Sequence, residues 1–174
     1  MKILAFGAST SSQSINRKLA LYAASLISGA SVTALDLREY KLPIYSADEE
    51  EANGVPNDAK KFLEQIQSHD AVVLSLAEHN GSYSAAFKNL YDWASRQEQK
   101  VWAGKPMLLL ATSPGGRGGA TVLATAKETF PRMGADLKAT YSLPSFYDNF
   151  DDKKGITDSM QLEFLRNATE KLEA

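Results

Sequence analysis

The chain has 174 residues, 19 Lys and Arg against 21 Asp and Glu for a net charge of −2, 44% apolar residues and no cysteine, which suits one domain, residues 1–174, with a real core. No cluster of Lys and Arg offers a nucleic-acid footprint, and no stretch reaches the roughly 18 apolar residues of a membrane span. Without cysteine there is no disulfide, thiolate nucleophile or cysteine-based metal site, a composition that fits a reducing cytoplasm.

The opening "MKILAFG" reads as a strand over Ile3–Gly7 rather than as a signal peptide, since its apolar stretch is short and lacks a small-residue cleavage site. From Ile15 to Ser28, Leu19, Tyr22, Ala23, Leu26 and Ile27 recur at helical spacing. Val32–Leu37 is a weaker strand, and the acidic run Asp48–Gly54 reads as a solvated loop. A helix over Asn57–Ser68, carried by Phe62, Leu63 and Ile66, leads into a strand at Ala71–Ala77. The pattern repeats: helix Ala85–Ser95, strand Met107–Thr112, helix Ala120–Met133, strand Ala135–Leu143. A polar loop with aromatics, Phe146–Gly155, precedes a last helix over about Asp158–Leu172. The runs Ile3–Gly7, Ala71–Ala77 and Met107–Thr112 are apolar on both faces, as in a parallel sheet covered by helices on both sides. Alternating strands and helices predict an α/β fold with right-handed crossovers, and five strands favour the sheet order 2-1-3-4-5.

In such a sheet, ligands sit outside the carboxyl ends of the strands at the point where strand order reverses. The loops that meet there are "ASTSSQSIN" (8–16), "AEHNGSYS" (77–84) and "TSPGGRGGA" (112–120). Five hydroxyls lie between Ser9 and Ser14, where a helix begins. Hydroxyls and first-turn amides make an anion site without a lysine. Neither G-x-x-x-x-G-K-[ST] nor G-x-G-x-x-G is present, which excludes a triphosphatase loop and a dinucleotide fingerprint. In the third loop, four glycines surround Arg117, so that successive amides are expected along the carbonyl edge of a planar ring, with Arg117 adding positive charge. In the second, Asn80-Gly81 by itself suggests a hairpin turn, but its place between a strand and a helix argues against one. His79 is read as a ring beside a ligand, and no His/Asp/Glu spacing supports a metal.

These loops resemble the NADPH-dependent FMN reductases, a flavodoxin-like group that includes quinone, azo-dye and chromate reductases. "ASTSSQSIN" is similar to the family's G-S-x-R-x-x-S-x-N, and "AEHNGSYSAAFKNLYDW" to its P-x-Y-N-G-S motif and following K-N-x-x-D-W helix. "SPGGRGG" (113–119) matches S-P-G-x-x-G-G without a break. The resemblance implies a three-layer flavodoxin-like sandwich that binds FMN. It implies that Ser9, Ser11, Ser14 and Asn16, with Ile15 among them, hold the phosphate. Glu78, His79, Asn80, Gly81 and Ser82 would border the isoalloxazine on one side, and Ser113, Pro114, Gly115, Gly116, Arg117, Gly118 and Gly119 on the other. The implied activity carries electrons from NADPH or NADH through FMN to a small acceptor: a quinone, an azo compound, a metal oxyanion or free flavin. The family's Arg is Ser11 here, its Tyr is His79 and its Pro is Ala77, which leaves the choice between NADPH and NADH open. A homodimer or tetramer is also implied, built on the helix carrying Tyr83, Phe87, Tyr91 and Trp93, with Trp102 beyond it. Two rivals stand beside this reading. A serine hydrolase using "GASTS" lacks a histidine after position 79. A non-enzymatic FMN-binding electron carrier or regulatory module would normally be more acidic than −2.

Overall fold

In the computed structural model, which describes residues 1–173, the first apolar run forms β1 (Lys2–Gly7), an inner strand of a five-stranded sheet. Around it lie β2 (Ser31–Ala34), β3 (Ala71–Leu76), β4 (Pro106–Thr112) and β5 (Asp136–Leu143), every pair parallel, in the order β2-β1-β3-β4-β5. This is the expected order and a flavodoxin-like architecture.

Side-chain alternation divides the core into two clusters. Leu4, Phe6, Val72, Leu74, Leu109 and Ala111 point to one face, against α3 (Asn57–Ser68), α4 (Ala85–Gln97) and α5 (Ala120–Thr129). Ile3, Ala5, Val73, Leu108 and Leu110 point to the other, against α1 (Ile15–Ser25) and α7 (Ser159–Glu173). A strand apolar at every position must have a helix layer on each side, which is why the central strands show no polar alternation. Among the described residues, no helix is long and apolar enough to cross a membrane.

Several local expectations change. The acidic run is α2 (Ala47–Asn53), solvated but helical. Ser46 caps it by accepting the Glu49 amide at 3.0 Å, and Asp48, Glu49 and Glu50 sit in the first turn where the helix dipole favours negative charge. The segment after β5 is a short helix, α6 (Phe146–Asn149), followed by an antiparallel pair, β6 (Phe150–Asp151) and β7 (Gly155–Ile156). The helix expected to reach Met133 ends at Thr129 and passes into a 3₁₀ turn over Phe130–Met133 that contains Pro131, which lacks the amide a helix interior needs.

Of the aromatic residues assigned to a subunit contact, Tyr83 is half-buried and the other four lie in the interior of the chain. Phe87, Trp93 and Trp102 are fully buried and Tyr91 is nearly so. Trp102 lies 4.8 Å from Phe130 between ring centroids, and the Trp93 indole donates to the Pro43 carbonyl at 2.8 Å.

Candidate functional site

Loop 8–14 is shaped by its own hydroxyls. Ser9 Oγ accepts the Ser11 amide at 3.1 Å, and Ser11 Oγ accepts the Gln13 amide at 3.2 Å. Ser14 caps α1 by accepting the Arg17 amide at 3.1 Å. All three oxygens serve as acceptors, so each hydroxyl proton is available to a ligand. Ile15 and Asn16, the first two residues of α1, have no intrahelical acceptor for their amides, and the dipole there favours an anion. The helix starts this close to the sheet because residue 7 is glycine; a Cβ at that position would collide with the Arg17 backbone.

Behind the hydroxyls, Asn16 is 3% exposed and joins three elements. Its Oδ1 accepts from Ser75 Oγ at 2.7 Å and from the Thr112 amide at 3.1 Å, while Nδ2 donates to the Thr112 carbonyl at 3.1 Å. The expected phosphate contact is therefore, in its side chain, a tie from α1 to the ends of β3 and β4. Ser84, the cap of α4, similarly donates to the Ala8 carbonyl at 2.7 Å.

The second loop corrects the argument against a hairpin. His79 and Ser82 exchange both backbone hydrogen bonds at 3.0 Å, and the central residues Asn80 and Gly81 have φ of 52° and 73°. That is a two-residue hairpin with both central residues at positive φ, the geometry Asn-Gly favours. It sits between a strand and a helix because it reverses the chain only locally before α4 starts. Glu78 precedes it, and its Oε2 accepts the Val122 amide at 2.7 Å. Helix α5 has glycine at its N-cap and no capping side chain of its own, so Glu78 supplies the cap from the neighbouring loop.

In the third loop the glycines divide by role. A Cβ on Gly118 would collide with Ser142 Oγ, and one on Gly119 would lie 2.9 Å from the Ala111 Cβ; these two let the loop lie against β4 and β5. Gly115 and Gly116 face open space. Arg117 turns away from the crevice and donates from Nη2 to Thr121 Oγ1 at 3.1 Å. The following β5–α6 connection is bolted to this loop, the Ser145 amide donating to Gly115 O at 2.9 Å and the Phe146 amide to Ser113 O at 3.1 Å. Ser145 holds a left-handed φ of 46°, and beyond it Tyr147 is 71% exposed.

A crevice of about 210 Å³ opens where these loops meet. Ser9, Ser11, Ser14, Ile15 and Asn16 line one wall; Glu78, His79, Ser113 and Pro114 line the rest. Asn80, Gly81, Ser82 and the Gly115–Gly119 segment with Arg117 do not line it. Sequence reasoning missed Gln13, Ala77, Thr112 and Tyr147, which also line it. Gln13, Ala77 and Thr112 lie within the loops read from the sequence, but none was singled out as a ligand-facing position. Tyr147 had no signal beyond an aromatic in a polar loop. Near the hairpin, burial pushes the Tyr83 hydroxyl pKa up. The described residues contain no group of three or more His, Asp or Glu able to hold a metal ion.

Fold and crevice together define a flavodoxin-like α/β protein with a crevice at the switch point of its sheet, one wall of which is made of hydroxyl and amide groups. The chain belongs to the NADPH-dependent FMN reductase family, whose model matches residues 1–148. It is 39% identical over 79 residues to a quinone reductase of Escherichia coli (strain K12), covering 45% of this chain and 42% of the relative, so the match spans less than half of that protein. An NAD(P)H-dependent FMN reductase of Pseudomonas aeruginosa is 28% identical over 176 residues, covering 99% of this chain and 94% of the relative. Among solved structures, the NAD(P)H:(acceptor) oxidoreductase FerB of Paracoccus denitrificans superposes with a TM-score of 0.77 at 27% identity, covering 99% of this chain and 97% of that one.

Proposed function

We propose that the protein is an FMN-dependent NAD(P)H oxidoreductase acting on small acceptors, with quinones the favoured class because several relatives are quinone reductases. The observation that carries this reading is the run of Ser9, Ser11 and Ser14, each accepting a main-chain amide and left with a proton to donate at the start of α1. These hydroxyls, with the Ile15 and Asn16 amides, fit a phosphomonoester. The crevice is smaller than the roughly 300–1,000 Å³ typical of ligand pockets. It therefore suits the phosphate and its polyol tail, with the flat ring system lying on the open edge along His79, Pro114 and Tyr147. When bound, FMN supplies the redox chemistry, taking a hydride from the reduced nicotinamide and delivering electrons to the acceptor. The chain's own contribution is position: Asn16 fixes the floor, Glu78 holds the two ring-side loops together, and Tyr147 offers an aromatic wall.

A cytoplasmic setting and assembly as a homodimer or tetramer complete the proposal. Support comes from the absence of cysteine and from Ile44, 79% exposed beside a groove of about 240 Å³; light scattering of the purified protein measures the assembly.

The deciding experiment is to titrate the protein with FMN, then add NADPH or NADH anaerobically and follow the flavin absorbance. Saturable binding is expected, with unfolding stability raised by about 2.7 kcal/mol when FMN stands at 100 times its Kd, then bleaching by the nicotinamide and recovery on adding benzoquinone. Absence of FMN binding overturns the proposal. Bound flavin that neither nicotinamide bleaches supports the electron carrier or regulatory module instead.

A further inference from the structure

Across the three loops, residues 8–16, 77–84 and 113–119, Arg117 is the single Lys or Arg. The crevice is lined without it: Ser113 and Pro114 of its own loop contribute, but the guanidinium does not. It is held instead on the first turn of α5 through Thr121 Oγ1 at 3.1 Å. That turn adjoins the hairpin tip, since a Cβ placed on Gly81 would lie 3.7 Å from Thr121 Cγ2. The cation therefore stands on the outer rim, where the hairpin meets α5.

Arg117 makes no salt bridge among the described residues. The acid on these loops, Glu78, already accepts the Val122 amide. The side chain is exposed, and only one of its donors is engaged. An Arg fork with free donors, fixed beside a crevice whose hydroxyl-loop wall is built from neutral groups, is suited to a phosphate that arrives from outside. With the flavin phosphate in the hydroxyl loop, the remaining phosphates belong to the reduced nicotinamide dinucleotide, whose reactive ring must reach the flavin while its adenosine end trails outward. NADPH differs from NADH by one 2′-phosphate on that end, a group that Arg side chains accommodate.

We propose that Arg117, held by Thr121 beside the hairpin tip, binds the 2′-phosphate of NADPH and sets the preference for NADPH over NADH. The inference rests on the FMN-dependent activity proposed above. It replaces the expected role of Arg117 at the ring's carbonyl edge with one at the rim.

The test compares FMN-loaded wild type with Arg117→Ala and Arg117→Lys, measuring kcat/KM for NADPH and for NADH and the Kd for FMN. Arg117→Ala should lower the NADPH/NADH ratio of kcat/KM about tenfold, mostly through the KM for NADPH. Arg117→Lys should recover part of it, and raised salt should weaken the NADPH reaction of wild type more than that of Arg117→Ala. An unchanged ratio, including an equal fall with both nicotinamides as a pyrophosphate contact would give, overturns the proposal. So does a change confined to FMN affinity, which would assign the guanidinium to the flavin. A wild type that binds no FMN fails at the earlier step and overturns the enzymatic reading itself.

Discussion

Asn16 shows how much one buried amide does here. It satisfies a hydroxyl on β3 and both backbone groups of Thr112 on β4. Truncation leaves these polar groups buried and unpaired, at about 1–3 kcal/mol each before the structure relaxes. Asn16→Ala should therefore lower unfolding stability by about 3 kcal/mol in a denaturant titration and raise the Kd for FMN at least tenfold. Unchanged stability would show that the three bonds do not form. The sequence made the residue visible as part of a motif but not its role, because its partners stand 59 and 96 positions away along the chain. Ser9, Ser11 and Ser14 were readable because their partners lie two or three residues ahead. Tyr147 was not, since what brings it to the crevice is a pair of backbone bonds from Ser145 and Phe146 to the glycine loop.

At the scale of elements, the same contrast separates local from imported signals. The Asn80-Gly81 turn follows a local rule that the wider context seemed to overrule, and the local rule held. Helix α2 also carries a readable start, Ser46-x-x-Glu49, which the density of acidic residues masked. Helix α5 is the opposite case: its cap comes from Glu78, 44 residues earlier, which nothing local announces. Glu78→Ala should cost about 1–2 kcal/mol of stability and loosen FMN binding severalfold, as the two ring-side loops part. Glu78→Gln, whose amide oxygen still accepts, should restore most of both. Thermal unfolding and FMN titration of the pair provide the check, and a glutamine variant as damaged as the alanine one would locate the effect in charge rather than in capping.

For the whole molecule, topology was the most legible feature, because runs that are apolar on both faces leave few alternatives to a parallel sheet between helix layers. Edges and surface were less so. Every residue of the edge strand β2 is exposed, and the strand is only four residues long. Just beyond it, Asp36 caps a 3₁₀ turn and accepts from Arg38 Nε at 3.0 Å. Hydrogen bonding to the Arg38 side chain, assisted by the Arg38 amide, holds the Asp36 pKa at about 2. Since an unfolded Asp titrates near about 3.9, the folded state binds this proton less readily. The resulting stability is present above about pH 4 and disappears as pH falls through about 2. Stability measured from pH 5 down to pH 2 should fall less steeply in Asp36→Asn, by on the order of 1–2 kcal/mol over the range. Parallel curves would mean that the ion pair contributes nothing.

In the proposed FMN site the first loop would hold the phosphate with dipoles alone, and that has a consequence for ionic strength. Between about 0.01 M and 1 M salt the Debye length contracts from about 30 Å to about 3 Å, which weakens attraction between separated charges but leaves contact hydrogen bonds largely as they were. Brine should thus leave the protein yellow while slowing its reduction by NADPH, so that holding the cofactor and recruiting the reductant respond independently to the same solvent.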